Sequence, residues 1–202
     1  MKINANPEDA RLTSGKNISY WTDSVHHAAQ HPLSDNIETE VVIVGGGLAG
    51  LSVAYCLSQT GKKVVLVEDG YIGSGETGRT TAHLVTCLDD RYYHLEEVFG
   101  KEKNKLIAES HQLAIDFVQS TVRKENIDCG FERVDGYLLL HPTDKKDALE
   151  REYISAMEAG VRLVPVDEVP GLLHKQKGLR FMAQAQFHPL EYLHGLSKAI
   201  TD

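Results

Sequence analysis

The stretch VVIVGGGLAG, residues 41–50, carries glycines at 45, 47 and 50, in the spacing GxGxxG. Each position suits the binding of a diphosphate. Gly45 permits a tight turn off a strand, and Gly47 lets main chain approach the anion where a Cβ would intrude. Gly50 permits helix and strand to pack closely. The helix that follows offers unpaired N–H groups and the positive end of its dipole. A second strand ends in Glu68, eighteen residues beyond Gly50, where a carboxylate can accept hydrogen bonds from ribose hydroxyls. With Asp69 beside it, that carboxylate would repel a 2′-phosphate, which disfavours NADP.

NAD and FAD remain to be separated. In a simple NAD fold a short turn leads from the second strand to the next helix. Here GYIGSGETGRTTAHL, residues 70–84, is longer and rich in glycine. Such a loop can run along an extended cofactor toward a flavin ring, with Arg79 and the Thr80 and Thr81 hydroxyls available to phosphate or ring oxygens. The competing reading is a flexible surface loop.

The elements that must hold these residues follow from periodicity. Residues 39–44 and 63–67 are short β-branched runs suited to buried parallel strands. Residues 48–60 read as a helix, and residues 103–122 as the strongest helix. Its expected core stripe is Leu106, Ile107, Leu113, Ala114, Phe117 and Val118. Beyond it the texture changes. Residues 131–141 read as a strand, with Asp135-Gly136 marking a tight turn or a bulge. Residues 144–159 read as a helix, and residues 161–166 and 179–187 as strands. Pro189 opens a last helix with the stripe Tyr192, Leu193, Leu196 and Ile200. Residues 1–36 are polar and read as an arm on a domain surface, with Trp21 as a packing anchor.

Bulk properties exclude several classes. The 202 residues are 42% hydrophobic and 25% charged, with mean hydropathy −0.28, an ordinary soluble composition. A net charge of −8 without basic clusters argues against a nucleic-acid partner. No apolar run is long enough for a bilayer, so no membrane partner is expected. Cys56, Cys87 and Cys129 match no zinc or iron–sulfur spacing, and His188 and His194 are six apart, so no metal site is expected. The cysteine usage points to a reducing cytoplasm.

The combination GGGLAG, VLVED and IGSGETGRTTAHL resembles the FAD-dependent oxidoreductases of the D-amino-acid oxidase, glycine oxidase and sarcosine oxidase superfamily. GSGETGR is similar to the GxGASGR stretch of its amine-oxidising branch, which includes γ-glutamylputrescine oxidase-like enzymes. SYWTDS, DDRYYHLEEVFG, IDCGFERVDGYLLL and QAQFHPLEYL extend the likeness over nearly the whole chain. They resemble a bacterial branch whose members often end in a Rieske [2Fe-2S] domain. The resemblance implies that Gly45, Gly46, Gly47, Leu48, Ala49 and Gly50 hold the pyrophosphate and that Glu68, with Asp69, meets the adenosine ribose. It places Arg79, Thr80, Thr81 and Ala82 beside the pyrophosphate and flavin. It implies oxidation of an amine or amino-acid C–N bond by hydride transfer to FAD.

The expected fold class is α/β, a Rossmann-like FAD-binding βαβ domain with an inserted α+β substrate domain. Residues 1–36 form the arm, 37–129 the first part of the FAD-binding domain, 130–187 the first part of the substrate domain, and 188–202 a returning helix. Members of the superfamily run to several hundred residues, so a truncated, inactive piece is expected, with a sheet too small to be covered on both faces. Two alternatives stand beside this reading: an NAD-dependent dehydrogenase, and a non-catalytic flavin-binding fragment.

Overall fold

Four consecutive β-branched or aliphatic residues in each of two segments make the parallel pair β1 (Val41–Val44) and β2 (Val64–Val67), in register from Val41 opposite Val64 to Val44 opposite Val67. The computed structural model describes residues 18–26 and 32–201. Between the strands runs α2 (Leu48–Ser58), which turns Leu51, Ala54 and Tyr55 inward. The preceding α1 (Tyr20–Ser24) is one short turn of the expected arm. Residues 1–17 and 27–31 of that arm lie outside the described residues. Trp21 is an anchor, as expected: its indole Nε1–H donates to the Thr80 carbonyl at 2.9 Å, and its ring meets His188 edge-on at 4.9 Å.

Successive strand side chains alternate between faces. Among the described residues one face of β1 is bare, with Val42 60% and Val44 83% exposed. The incompletely covered sheet anticipated from the sequence is therefore present.

Contacts divide the chain into two units, each with its own core. The first comprises residues 1–82, 121–130 and 187–202; the second comprises 83–120 and 131–186. In the first, α2 packs on α6 (Pro189–Thr201), whose Leu190, Tyr192, Leu193 and Leu196 are fully buried. The helix beginning at Pro189 and most of its stripe agree with the sequence reading. Tyr55 donates to Glu125 at 2.5 Å and accepts from Lys124 at 3.0 Å.

The second unit is an antiparallel sheet organised on β6 (Gly178–Gln186). The strand β4 (Glu132–Leu139) pairs along one side of β6. The other side is shared by β3 (His83–Leu84) and β5 (Leu163–Val166). Three helices complete the unit's element list: α3 (Tyr92–Phe99), most of α4 (Lys101–Lys124) and α5 (Ala148–Glu158). The core is Tyr92, Ala108, Ala156, Ala159, Leu163, Leu179 and Phe181.

Asp135 marks a bulge and not a turn, and the extra residue belongs to β6. Val134 pairs with Gln184 and Gly136 with Phe181, so Met182 and Ala183 oppose the single Asp135. Ala183 takes φ 56° there. Asp135 accepts the Ala183 N–H at 3.1 Å, and Arg133 donates to the Ala183 carbonyl at 2.7 Å. Arg133 also reaches Gln119 and Asp116, which ties β4 to α4.

The stripe expected on α4 is corrected. Leu106 and Leu113 are 62% and 58% exposed; Val118 is buried as expected, and the other buried positions are Asn104, Ala108, Ile115 and Thr121. The inner face admits a polar residue because the Asn104 amide donates to the Tyr92 carbonyl at 3.2 Å. Asp89 and Asp90, which precede α3, do not cap it. Its N-cap is Arg91, without a side-chain cap bond, at φ 53°.

Gln184 is 1% exposed, and its amide is satisfied by Thr86 and by the Met182 carbonyl. Gln184→Leu would leave the Thr86 N–H and the Met182 oxygen unpaired in the interior. It is expected to cost about 2–4 kcal/mol, read as a lower midpoint at unchanged m-value in urea unfolding. A wild-type midpoint would refute this account.

Candidate functional site

Two of the three motif glycines take the backbone roles their spacing asked. Gly45, at φ 105°, turns the chain off β1 while its N–H still bonds the Val67 carbonyl at 2.8 Å. A Cβ on Gly50 would drive into the Gly45 carbonyl oxygen, with Ile43 Cγ2 3.4 Å away. The third glycine is thus required by backbone meeting backbone. Gly47 is the N-cap of α2 and supplies no capping side chain.

An α-helix leaves its first N–H groups without intrahelical acceptors. Here the Leu48 N–H is taken by the Thr77 hydroxyl at 3.1 Å. The amides of Gly47, Ala49 and Gly50 have no helical acceptor and lie at the positive end of the α2 dipole. Thr77 was not singled out in the sequence. The hint was a hydroxyl residue inside the glycine-rich GSGETGR, but only folding brings it to the helix end.

Glu68 is half-buried and its carboxylate is the hub of the turn. Oε2 accepts the Gly46 N–H at 2.5 Å, and Oε1 accepts those of Asp69 and Gly70 at 3.0 and 3.2 Å. A Cβ on Gly46 would stand 3.1 Å from Oε2, so the middle glycine also has a reason. Three of about four carboxylate acceptor positions are used, which leaves room for one further donor. Asp69 is exposed.

The loop after β2 folds back on the turn: Gly73 N–H donates to the Gly46 carbonyl at 3.0 Å. One turn of 3-10 helix spans Glu76–Arg79. Arg79 donates to the carbonyls of Ser74 and Gly75 at 3.0 and 3.3 Å, so this guanidinium fastens its own loop. Thr80 accepts the Ala82 N–H at 3.2 Å, Thr81 is exposed, and Ala82 is buried at φ 65°. Ser19, on the arm, also bonds the Gly78 carbonyl. The predicted residues 45–50, 68–69 and 79–82 all fall within the first unit.

This arrangement fits the diphosphate and ribose of an adenine dinucleotide: Cβ-free main chain, unpaired helix amides and a carboxylate with remaining acceptor capacity. A family model described as FAD dependent oxidoreductase matches residues 40–202. The chain belongs to this FAD-dependent oxidoreductase (DAO) family. Its cofactor is FAD, which sets aside the nicotinamide alternative.

Relatives agree. The chain is 31% identical over 182 residues to YhfW of Bacillus subtilis, named as a Rieske 2Fe-2S iron-sulfur protein, covering 90% of this chain and 36% of that one. It is 25% identical to γ-glutamylputrescine oxidoreductase of Escherichia coli, covering 90% of this chain and 43% of that protein. The structure of glycine oxidase from Geobacillus kaustophilus superposes with TM-score 0.62 at 19% identity, covering 81% of this chain and 44% of that one, and shows the shared fold. The chain thus spans less than half the length of these DAO-family relatives. Among the described residues no helix is long and apolar enough to cross a membrane, and no His, Cys, Asp and Glu group can hold a metal ion.

Proposed function

We propose that this chain supplies the FAD-holding turn and the first part of the substrate domain of an oxidoreductase acting on the C–N bond of an amine or amino acid. The observation that carries the reading is the β1–Gly45–Gly47–α2 turn, backed by Glu68. The amides of Gly47, Ala49 and Gly50 bind the diphosphate, and Thr77 holds the first turn of α2 in place for them. Glu68 offers its remaining acceptor position to a ribose hydroxyl. Arg79 and Thr80 keep the following loop in the course along which the cofactor lies. When bound, FAD supplies the two-electron oxidation of the substrate.

The first unit serves as the cofactor domain and the sheet of the second as the floor of the substrate site. Likeness to YhfW supports a Rieske [2Fe-2S] centre as an electron partner, and three cysteines outside any disulfide suit a cytoplasmic setting.

The test is flavin retention. FAD titrated into the protein is expected to saturate at one equivalent. Gly47→Val, whose Cβ would stand 3.2 Å from the Thr77 hydroxyl and crowd the mouth of the turn, should abolish binding while leaving the far-UV circular dichroism unchanged. Wild-type FAD affinity in that variant would remove the assignment.

A further inference from the structure

The loop that carries Thr77 has glycine at 70, 73, 75 and 78. Glycine backbone has the most freedom to lose, so such a loop keeps one course only where other parts of the chain fix it. Some of its fastenings belong to the turn already described: Gly73 on the Gly46 carbonyl, Thr77 on the Leu48 N–H, and Arg79 on the Ser74 carbonyl. Others come from α1, which lies in the same unit.

The last carbonyls of a helical turn find no partner within it. Arm side chains take two of them, on either side of Arg79. The Ser19 hydroxyl donates to the Gly78 carbonyl, and the Trp21 indole N–H donates to that of Thr80 at 2.9 Å. The arm is held in turn by the start of α6. His188 Nδ1 accepts the Glu191 N–H at 3.2 Å, so in the neutral ring Nε2 carries the proton and gives it to Ser24 Oγ, 2.9 Å away. Ser24 directs its own hydrogen to the Trp21 carbonyl at 3.2 Å. Donor and acceptor thus alternate from α6 through the arm to the cofactor loop. The Trp21 ring packs edge-on against the His188 ring along the same line.

The helix α1 has five residues, and none is buried. A helix so short is not stable by itself, so these contacts are what order it. The core, in contrast, gains little from it. What the arm acts on is the loop.

We propose that Ser19–Ser24 is a strap on the cofactor loop and that Trp21 is a positioning residue for FAD, acting through Thr77. The proposal rests on the FAD-holding role given above to the turn. With the strap closed, the 3-10 turn keeps Thr77 on the first amide of α2, and the amides of Gly47, Ala49 and Gly50 stay aimed at the diphosphate. With it released, the loop gains other courses, Thr77 leaves the helix end part of the time, and bound FAD escapes faster.

Two measurements test this: the FAD dissociation rate, followed by flavin fluorescence, and hydrogen exchange of the Leu48 amide in the FAD-free protein. Trp21→Ala should speed each about 3–10-fold, the loss of one hydrogen bond. The melting temperature of the FAD-free protein should stay within about 2 °C of wild type, as for a surface substitution. Trp21→Phe keeps a ring against His188 and drops only the N–H, and it should show most of the same acceleration. In a Thr77→Ala background, Trp21→Ala should add nothing to FAD dissociation, whereas a merely structural role would add in full. Wild-type Leu48 exchange in Trp21→Ala, or full additivity with Thr77→Ala, would overturn the proposal. A wild-type chain that held no FAD would remove the cofactor reading alone, and faster Leu48 exchange in Trp21→Ala would then still support the strap.

Discussion

Gly50→Val is expected to lower the melting temperature by about 6–12 °C, the consequence of roughly 3 kcal/mol lost to overpacking in a chain of this size. The new Cβ meets the carbonyl oxygen of Gly45, and Ile43 closes the same space. A flexible side chain could swing away, but this carbonyl belongs to the turn that joins β1 to α2. Relief therefore requires the helix to move off the strand, taking Leu51 and Ala54 out of their packing. Gly50→Ala carries the same Cβ and should show the same sign. Scanning calorimetry of both variants checks it, and an Ala variant melting with wild type would show that the contact yields cheaply. FAD affinity should fall in both, because the amides of Ala49 and residue 50 move with the helix.

Glu68→Ala acts through a different term. It removes the acceptor of three amides, of which Gly46 is buried and Asp69 and Gly70 are exposed. Water replaces the two exposed bonds at little cost. The Gly46 N–H is left unpaired in a dry place, a penalty of about 2 kcal/mol. FAD affinity is expected to drop further, about 10–100-fold, since a carboxylate–hydroxyl bond is lost and the turn is loosened. Glu68→Gln separates the effects. One amide oxygen can keep the Gly46 bond, while its NH₂ faces the exposed N–H groups, so stability should largely recover. Equilibrium dialysis with FAD beside urea unfolding checks both quantities. An undiminished FAD affinity in Glu68→Ala would place the ribose elsewhere.

Each of these predictions begins from a pattern visible in the chain and is made quantitative by a contact that is not. The order β1–α2–β2 was legible because each piece is local: valine runs favour extended backbone, and glycine at 45 and 50 answers a steric demand set by near neighbours. The family likeness was legible for the same reason, through contiguous motifs. The α4 stripe was misread, although the helix was foreseen. Which side of a helix is covered depends on what arrives from elsewhere, and Asn104 turns inward because a carbonyl twelve residues away receives it. The two-residue β3 and the eight-residue α3 carry too little periodicity to announce themselves.

The sequence alone determined the family and the β1–α2–β2 order with its glycine turn, since these rest on conformational preferences within a few positions of each residue. Only the tertiary structure decided how those residues are spent. Thr77 reaches Leu48 across 29 positions, Trp21 reaches Thr80 across 59, and Arg79 turns to its own loop. Glu152, one acidic residue among several on a helix, becomes a buried carboxyl with an unmet oxygen. Long-range contacts satisfy or strand a polar group according to what the whole chain brings near it, and no local spacing encodes that.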